Sequence, residues 1–285
     1  MSEAAHRKPV SRTVVLDRSL EALPVFRLSD SAEEAAIAYE PDDGGRWRVL
    51  PAPGERLPGT FDQDVYVELM RRYHEAGAPA DGVLTFTLHA FLRSMGRRVD
   101  GRTYEQLRSA LHRLLRTALE SDGAYLDFSA GRRLTASFSV LTAVQIDRRR
   151  FSDRDQLGLF PALTNSEPGD ARVALGPAVR ANLAAGHTVT VSSQRYFALS
   201  SPVARRIYRL VELARVQGNR TWRIGLERLA DQLPLVQRYP SHLQRVLQPA
   251  HEMLVAAGIL TTADFVQDGR NWFVEYVAEI GRAHV

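Results

Sequence analysis

Two stretches carry side chains able to hydrogen-bond phosphates or base edges at helical spacing. In GRTYEQLRSALHRLLRT, residues 101–117, Tyr104, Leu107, Leu111, Leu114 and Leu115 share one side at the α-helical period. Arg102, Gln106, Ser109, Arg113 and Arg116 lie opposite. In YPSHLQRVLQPAHEMLVAAG, residues 239–258, Leu243, Val246, Leu247, Ala250 and Leu254 form the apolar side, and Ser241, Gln244, Arg245 and Gln248 the polar one. The planar guanidinium fork matches phosphate oxygens or the O6/N7 edge of guanine, while Gln and Ser hydrogen-bond other base edges. Helices faced in this way suit a major groove. A basic face that is merely solvated has the same composition, so spacing alone leaves both readings open.

The chemistry of catalysis finds no comparable foothold. With no cysteine, disulfides, zinc–thiolate sites and thiol nucleophiles are all excluded. The histidines, at 6, 74, 89, 112, 187, 242, 251 and 284, form neither an H-x-H pair nor H-E-x-x-H. Lys8, the only lysine, is followed by Pro9, so no GK[ST] phosphate loop exists, and G-x-S-x-G is absent. The expectation is a protein that is not an enzyme and uses no cofactor or metal. There is no apolar run long enough to span a bilayer, and MSEAAHRKPVSRTVV lacks the apolar centre of a secretion signal, which predicts a cytoplasmic chain without a membrane partner. The positive charge is local: residues 61–150 hold 14 arginines against 11 acids, and residues 192–279 hold 11 against 8.

Elements that would position the polar faces follow from the punctuation around them. TFDQDVYVELMRRYHEAGAP places Val65, Leu69 and Tyr73 at helical spacing before Gly77 and Pro79, and LTFTLHAFLRSMG gives a short strand and a short helix closed by Gly96. After the 101–117 helix, alternating apolar residues around Gly131 predict strands joined by a hairpin turn. The second block repeats this order. SSPVARRIYRLVELARVQGN is a helix with Ser201 as N-cap, Pro202 at N1 and Gly218 as stop, and TWRIGLERLADQL supplies strand and helix. A long helix ending at Gly258 follows, with a bend expected at Pro249, then a hairpin turning at Asp268-Gly269.

Helix, turn, helix and hairpin resemble a winged helix, so the expected fold class is α+β, with two tandem winged-helix domains. Arg132 and Arg133 at the first turn, and Arg270 at the second, stand where a wing would reach phosphate, although turn arginines also serve solubility. The expected division is a flexible segment over 1–46, a first domain over 47–150, a connector over 151–191 with a helix at 177–185, and a second domain over 192–279. RWRVLPAP is expected as an edge strand of the first domain. The last six residues, IGRAHV at 280–285, read as a non-native tail.

Four phrases in order, GTFDQDVYVELMRRYHEAGAPADG, GRTYEQLRSALHRLLRT, YFALSSPVARRIYRLVE and RVLQPAHEML, resemble the bacterial plasmid replication initiator protein A family over residues 47–277. The resemblance implies a protein that binds repeated double-stranded origin sites (iterons), distorts them, recruits the host initiator and replicative helicase, and exists as monomer and dimer. It makes residues 192–279 the main reader, through Ser241, Gln244, Arg245 and Gln248, with Arg102, Arg113 and Arg116 meeting phosphate. A tandem winged-helix repressor, or a structural module that binds other proteins, would show the same periodicities.

Overall fold

In the computed structural model, residues 12–28, 36–146 and 170–279 are described. Capping residues set most helix starts. β1 (Thr13–Asp17) turns into α1 (Arg18–Glu21) because the Asp17 carboxylate accepts from the Ser19 amide. β2 (Ile37–Tyr39) and β3 (Arg46–Leu50) precede the long α2 (Thr60–Glu75). β4 (Val83–Thr87) ends at Thr87, whose hydroxyl caps α3 (Leu88–Ser94) by accepting from the Ala90 amide. Asp100 and Thr103 then form a reciprocal capping box at the start of α4 (Gly101–Arg116).

β5 (Ala118–Asp127), β6 (Arg132–Phe138), β7 (Leu141–Ile146) and β8 (Asp170–Leu175) follow, then α5 (Pro177–Ala184), β9 (Thr188–Ser192) and α6 (Ser193–Ala198). The second block contains α7 (Pro202–Val216), β10 (Thr221–Gly225), α8 (Leu226–Gln232), α9 (Pro240–Ala256), β11 (Leu260–Asp268) and β12 (Asn271–Ala278). Ser201 caps α7 with Pro202 at its first position, as its sequence predicts. α9 runs through the exposed Pro249 as one element, without a restart. Among the described residues no helix is long and apolar enough to cross a membrane.

The repeat is present, with one strand pair reassigned. α2, β4, α3, α4 and the pair β7/β8 correspond to α7, β10, α8, α9 and the pair β11/β12. The sheet orders match, β4-β8-β7 against β10-β12-β11, both antiparallel. The hairpin expected as the first wing, β5–β6, belongs instead to a separate sheet, β2-β3-β5-β6. Alternation at period two marks a strand but not its partner, and here two hairpin signals follow one another. β5 pairs with β3 and β6 from its first residues and carries a bulge between Asp122 and Tyr125, where Gly123 has φ +76°. Gly45 faces it so closely that a Cβ would sit 2.5 Å from the Gly123 carbonyl carbon. The tip joining β7 to β8 lies outside the described residues.

Two further expectations are corrected. Much of the supposedly flexible 1–46 segment is structural: β1 pairs antiparallel with β9, and Leu16, Leu20, Leu23 and Phe26 are buried. Composition averaged over an acidic, Ala-rich stretch hides the apolar spacing in TVVLDRSLEALPVF. The 151–191 connector divides: residues 151–169 lie outside the described residues, β8 completes the first block's sheet, α5 occupies the expected helix, and β9 joins β1. The ribbon β1/β9 thus ties one half to the other. Residues 280–285 also lie outside the described residues.

The second half has an acid-sensitive point. His251 on α9 is buried, its Nε2 lies 2.8 Å from the Tyr276 hydroxyl, and its ring rests 5.1 Å from that of Phe265. Burial pushes its pKa from the ordinary 6.5 down to about 4, against the opposing pull of Asp264 and Glu252. Because the folded value lies below the unfolded one, the neutral ring's contribution is present above pH 6.5 and is lost as pH falls through about 4. In urea unfolding across that window, His251→Gln is expected to lose less stability with acidification than the parent. An identical pH profile would show that this ring is not the group responsible.

Candidate nucleic-acid interface

On α4, docking of Leu107, Ala110, Leu111 and Leu114 into the core leaves Arg102, Gln106 and Ser109 exposed. Arg102 makes no ion pair among the described residues. Arg113 departs from expectation. Its side chain is 11% exposed, and Nη2 donates to Asp62 of α2 at 2.8 Å while Nε donates at 3.1 Å. Asp62 also accepts from the Gly59 amide at the start of α2, so Arg113 clamps α4 to α2 and is not offered to phosphate. The helical wheel placed it on the polar side correctly but could not show that the neighbouring helix carries an acid there.

Arg116 is exposed and pairs with Glu55; such surface pairs contribute about 0–1 kcal/mol and yield readily to a phosphate. Alongside run Arg108, paired with Glu105, and His112. The Arg108 Nε and His112 Nδ1 are buried without partners among the described residues. With Arg56 and Ile146 they line an open groove of about 540 Å³ along α4. The wheel passes over Arg108 and His112 because they flank the apolar stripe.

On α9, Ser241, Arg245 and Gln248 are exposed and Gln244 is half-buried. Gln248 donates to Glu252 at 2.9 Å. Arg245 makes no ion pair among the described residues. The front of this helix adds two residues that the helical wheel did not count in its polar face. Tyr239 is 72% exposed, with His242 set edge-on to it at 5.8 Å. Pro240 occupies the first position and no side chain caps the first-turn amides. An aromatic before Pro-Ser in an otherwise polar stretch was the available signal.

At the β11/β12 turn, Gly269 at φ +62° lets two residues reverse the chain, and Arg270 stands exposed at the tip without an ion pair among the described residues. Arg132 is likewise exposed and without an ion pair there. Arg133 is not free: it pairs with Asp43 and donates to the carbonyls of Gly123 and Ala124. Its guanidinium braces the four-stranded sheet, and because that sheet is distinct from β4-β8-β7, neither arginine sits on the first block's β7/β8 pair.

Chemically, the two halves carry similar outer helix faces, with guanidinium, amide and hydroxyl groups and no metal-binding cluster among the described residues. The family model described as Replication initiator protein A matches residues 16–234. Among curated proteins none matches the chain. Among solved structures, domains 2 and 3 of RctB are similar at 12% identity and TM-score 0.56, covering 92% of this chain and 96% of that one. The Pi initiator protein in complex with iteron DNA is similar at 10% identity and TM-score 0.51, covering 95% and 99%. At such identities the likeness concerns the fold.

Proposed function

The chain belongs to the replication initiator protein A family, and on that premise we propose that it binds iterons in double-stranded DNA at a plasmid origin through two tandem winged-helix units. In this reading α4 and α9 are the recognition helices, and the β7/β8 and β11/β12 pairs are the wings. Replication begins when the bound protein recruits the host initiator and replicative helicase, with no cofactor. A second copy of the chain is a further proposed partner, checked by light scattering. The observation carrying the proposal is the recurrence of one element order in both halves, each with an exposed, arginine-bearing face on its second long helix. The complex of the Pi initiator protein, of similar fold, with iteron DNA supports it.

The second half is the stronger reader, because Tyr239 and His242 extend the face beside Arg245, which makes no ion pair among the described residues. Arg245→Ala is expected to cost about 1–3 kcal/mol in binding to the specific site and to relax base preference at one position. Arg270→Ala should lower affinity for all sequences and reduce the slope of log K against log salt by about one. Fluorescence anisotropy on a duplex defined by footprinting the flanking DNA reads both. Unchanged affinity and salt slope in both variants would refute the assignment of these faces.

A further inference from the structure

Between the halves lies a buried set of charges that the DNA-contacting faces do not use. Helix α7 directs Arg205, Arg206 and Arg209 into the first half, each under a tenth exposed. Glu21 of α1 receives Arg206 at 3.0 Å and Arg209 at 2.9 Å. Arg209 also donates to the Gln63 side chain of α2 at 2.7 Å, and Gln63 donates to the Pro202 carbonyl at 3.3 Å. One turn earlier on α7, Arg205 pairs with Asp64 of α2, which also accepts from Arg97 at 2.6 Å and from the Tyr196 hydroxyl of α6 at 3.1 Å. Further bonds run from Arg206 to the Leu23 carbonyl and from Arg205 to the Leu199 carbonyl.

Four guanidinium groups therefore share two carboxylates. Burial, and then the adjacent Arg209, lower the Arg206 pKa to about 10. Ion pairs buried in this way hold parts together no better than apolar side chains of equal volume. What they add is geometry, because a rotation or slip between the halves would strand several buried charges at once. The connections continue to both recognition helices. α2 holds α4 through Asp62 and Arg113, and α7 packs directly on α9.

We infer that the Glu21/Asp64–Arg205/Arg206/Arg209 cluster is a ruler: it fixes the one relative placement of α4 and α9, and so the spacing between DNA contacts that the protein accepts. The second clause rests on the DNA-binding reading; the first does not, and two measurements separate them. Spin labels at Gln106→Cys and Gln248→Cys, in a chain with no native cysteine, should give one narrow distance in the otherwise unaltered protein. Asp64→Asn should broaden it. Arg205→Lys, which keeps the charge and loses the fork, should broaden it too, and serves if the first variant does not fold.

Asp64→Asn and Arg205→Lys, without the label positions at Gln106 and Gln248, are then bound to duplexes whose two contacted segments are moved apart by about one to five base pairs, up to half a helical turn. The parent's preference for its best spacing should fall by about tenfold in the variants, on the scale of one lost bidentate base contact. A folded variant that retains both the narrow distance and the spacing preference overturns the ruler. Narrowing lost without any DNA binding by the parent would uphold the placement and sink the binding reading alone.

Discussion

Glu21→Ala is expected to lower folding stability by about 3–5 kcal/mol, among the largest effects of any single substitution in this chain. Glu21 is 1% exposed and is the carboxylate partner of Arg206 and Arg209, the latter 1% exposed. Its removal leaves two guanidinium groups inside the protein with only carbonyl and amide acceptors. The cost arises from those stranded charges and not from the lost attraction, so the variant should fall far below what a surface pair shows. Arg116→Ala, which breaks the exposed pair with Glu55, is the control and should change stability by within about 0.5 kcal/mol. Urea midpoints measure both. A Glu21 variant as stable as the Arg116 variant would mean that water reaches the cluster.

The second large effect is expected at Trp47. It is fully buried in β3, its indole N–H donates to the Pro24 carbonyl at 2.8 Å, and its ring lies 6.1 Å from that of Phe138 in β6. Trp47→Ala removes the largest fully buried side chain of the four-stranded sheet and should cost about 3–5 kcal/mol. Trp47→Phe keeps much of the packing but leaves the Pro24 carbonyl without its donor, and should cost about 1–3 kcal/mol. Thermal unfolding distinguishes the two. Equal losses would assign the whole effect to the hydrogen bond, and a negligible loss in both would mean that residues 23–28 do not depend on β3.

Both effects fall on residues that one-dimensional patterns pass over. Trp47 was expected in an edge strand, whereas β3 lies inside its sheet between β2 and β5, and Glu21 lay in a segment read from composition as loose. Periodicity and caps were enough for the local elements. The stripe Leu107, Leu111, Leu114 is buried, and Ser201 caps α7. The exposed members of both polar faces, Arg102, Gln106, Ser109, Ser241, Arg245 and Gln248, follow from the same 3.6-residue period.

Tertiary structure decided what those elements meet. Arg113 and Arg102 look alike on a wheel, yet Arg113 faces Asp62 of another helix while Arg102 faces solvent. β5 and β7 alternate alike, but β5 pairs with β3 and β6 while β7 pairs with β8, so they join different sheets. By itself the sequence determined where the helices of the two repeated blocks begin and which side of each is apolar, since those depend on neighbours within a few residues, while β1, α1 and β2 escaped it. Which arginine is offered outward, which strand completes which sheet, and how the halves are fixed through Glu21 and Asp64 depend on residues far apart in the chain, from 51 positions for Arg113 and Asp62 to 188 for Arg209 and Glu21, and only the folded chain brings those groups together.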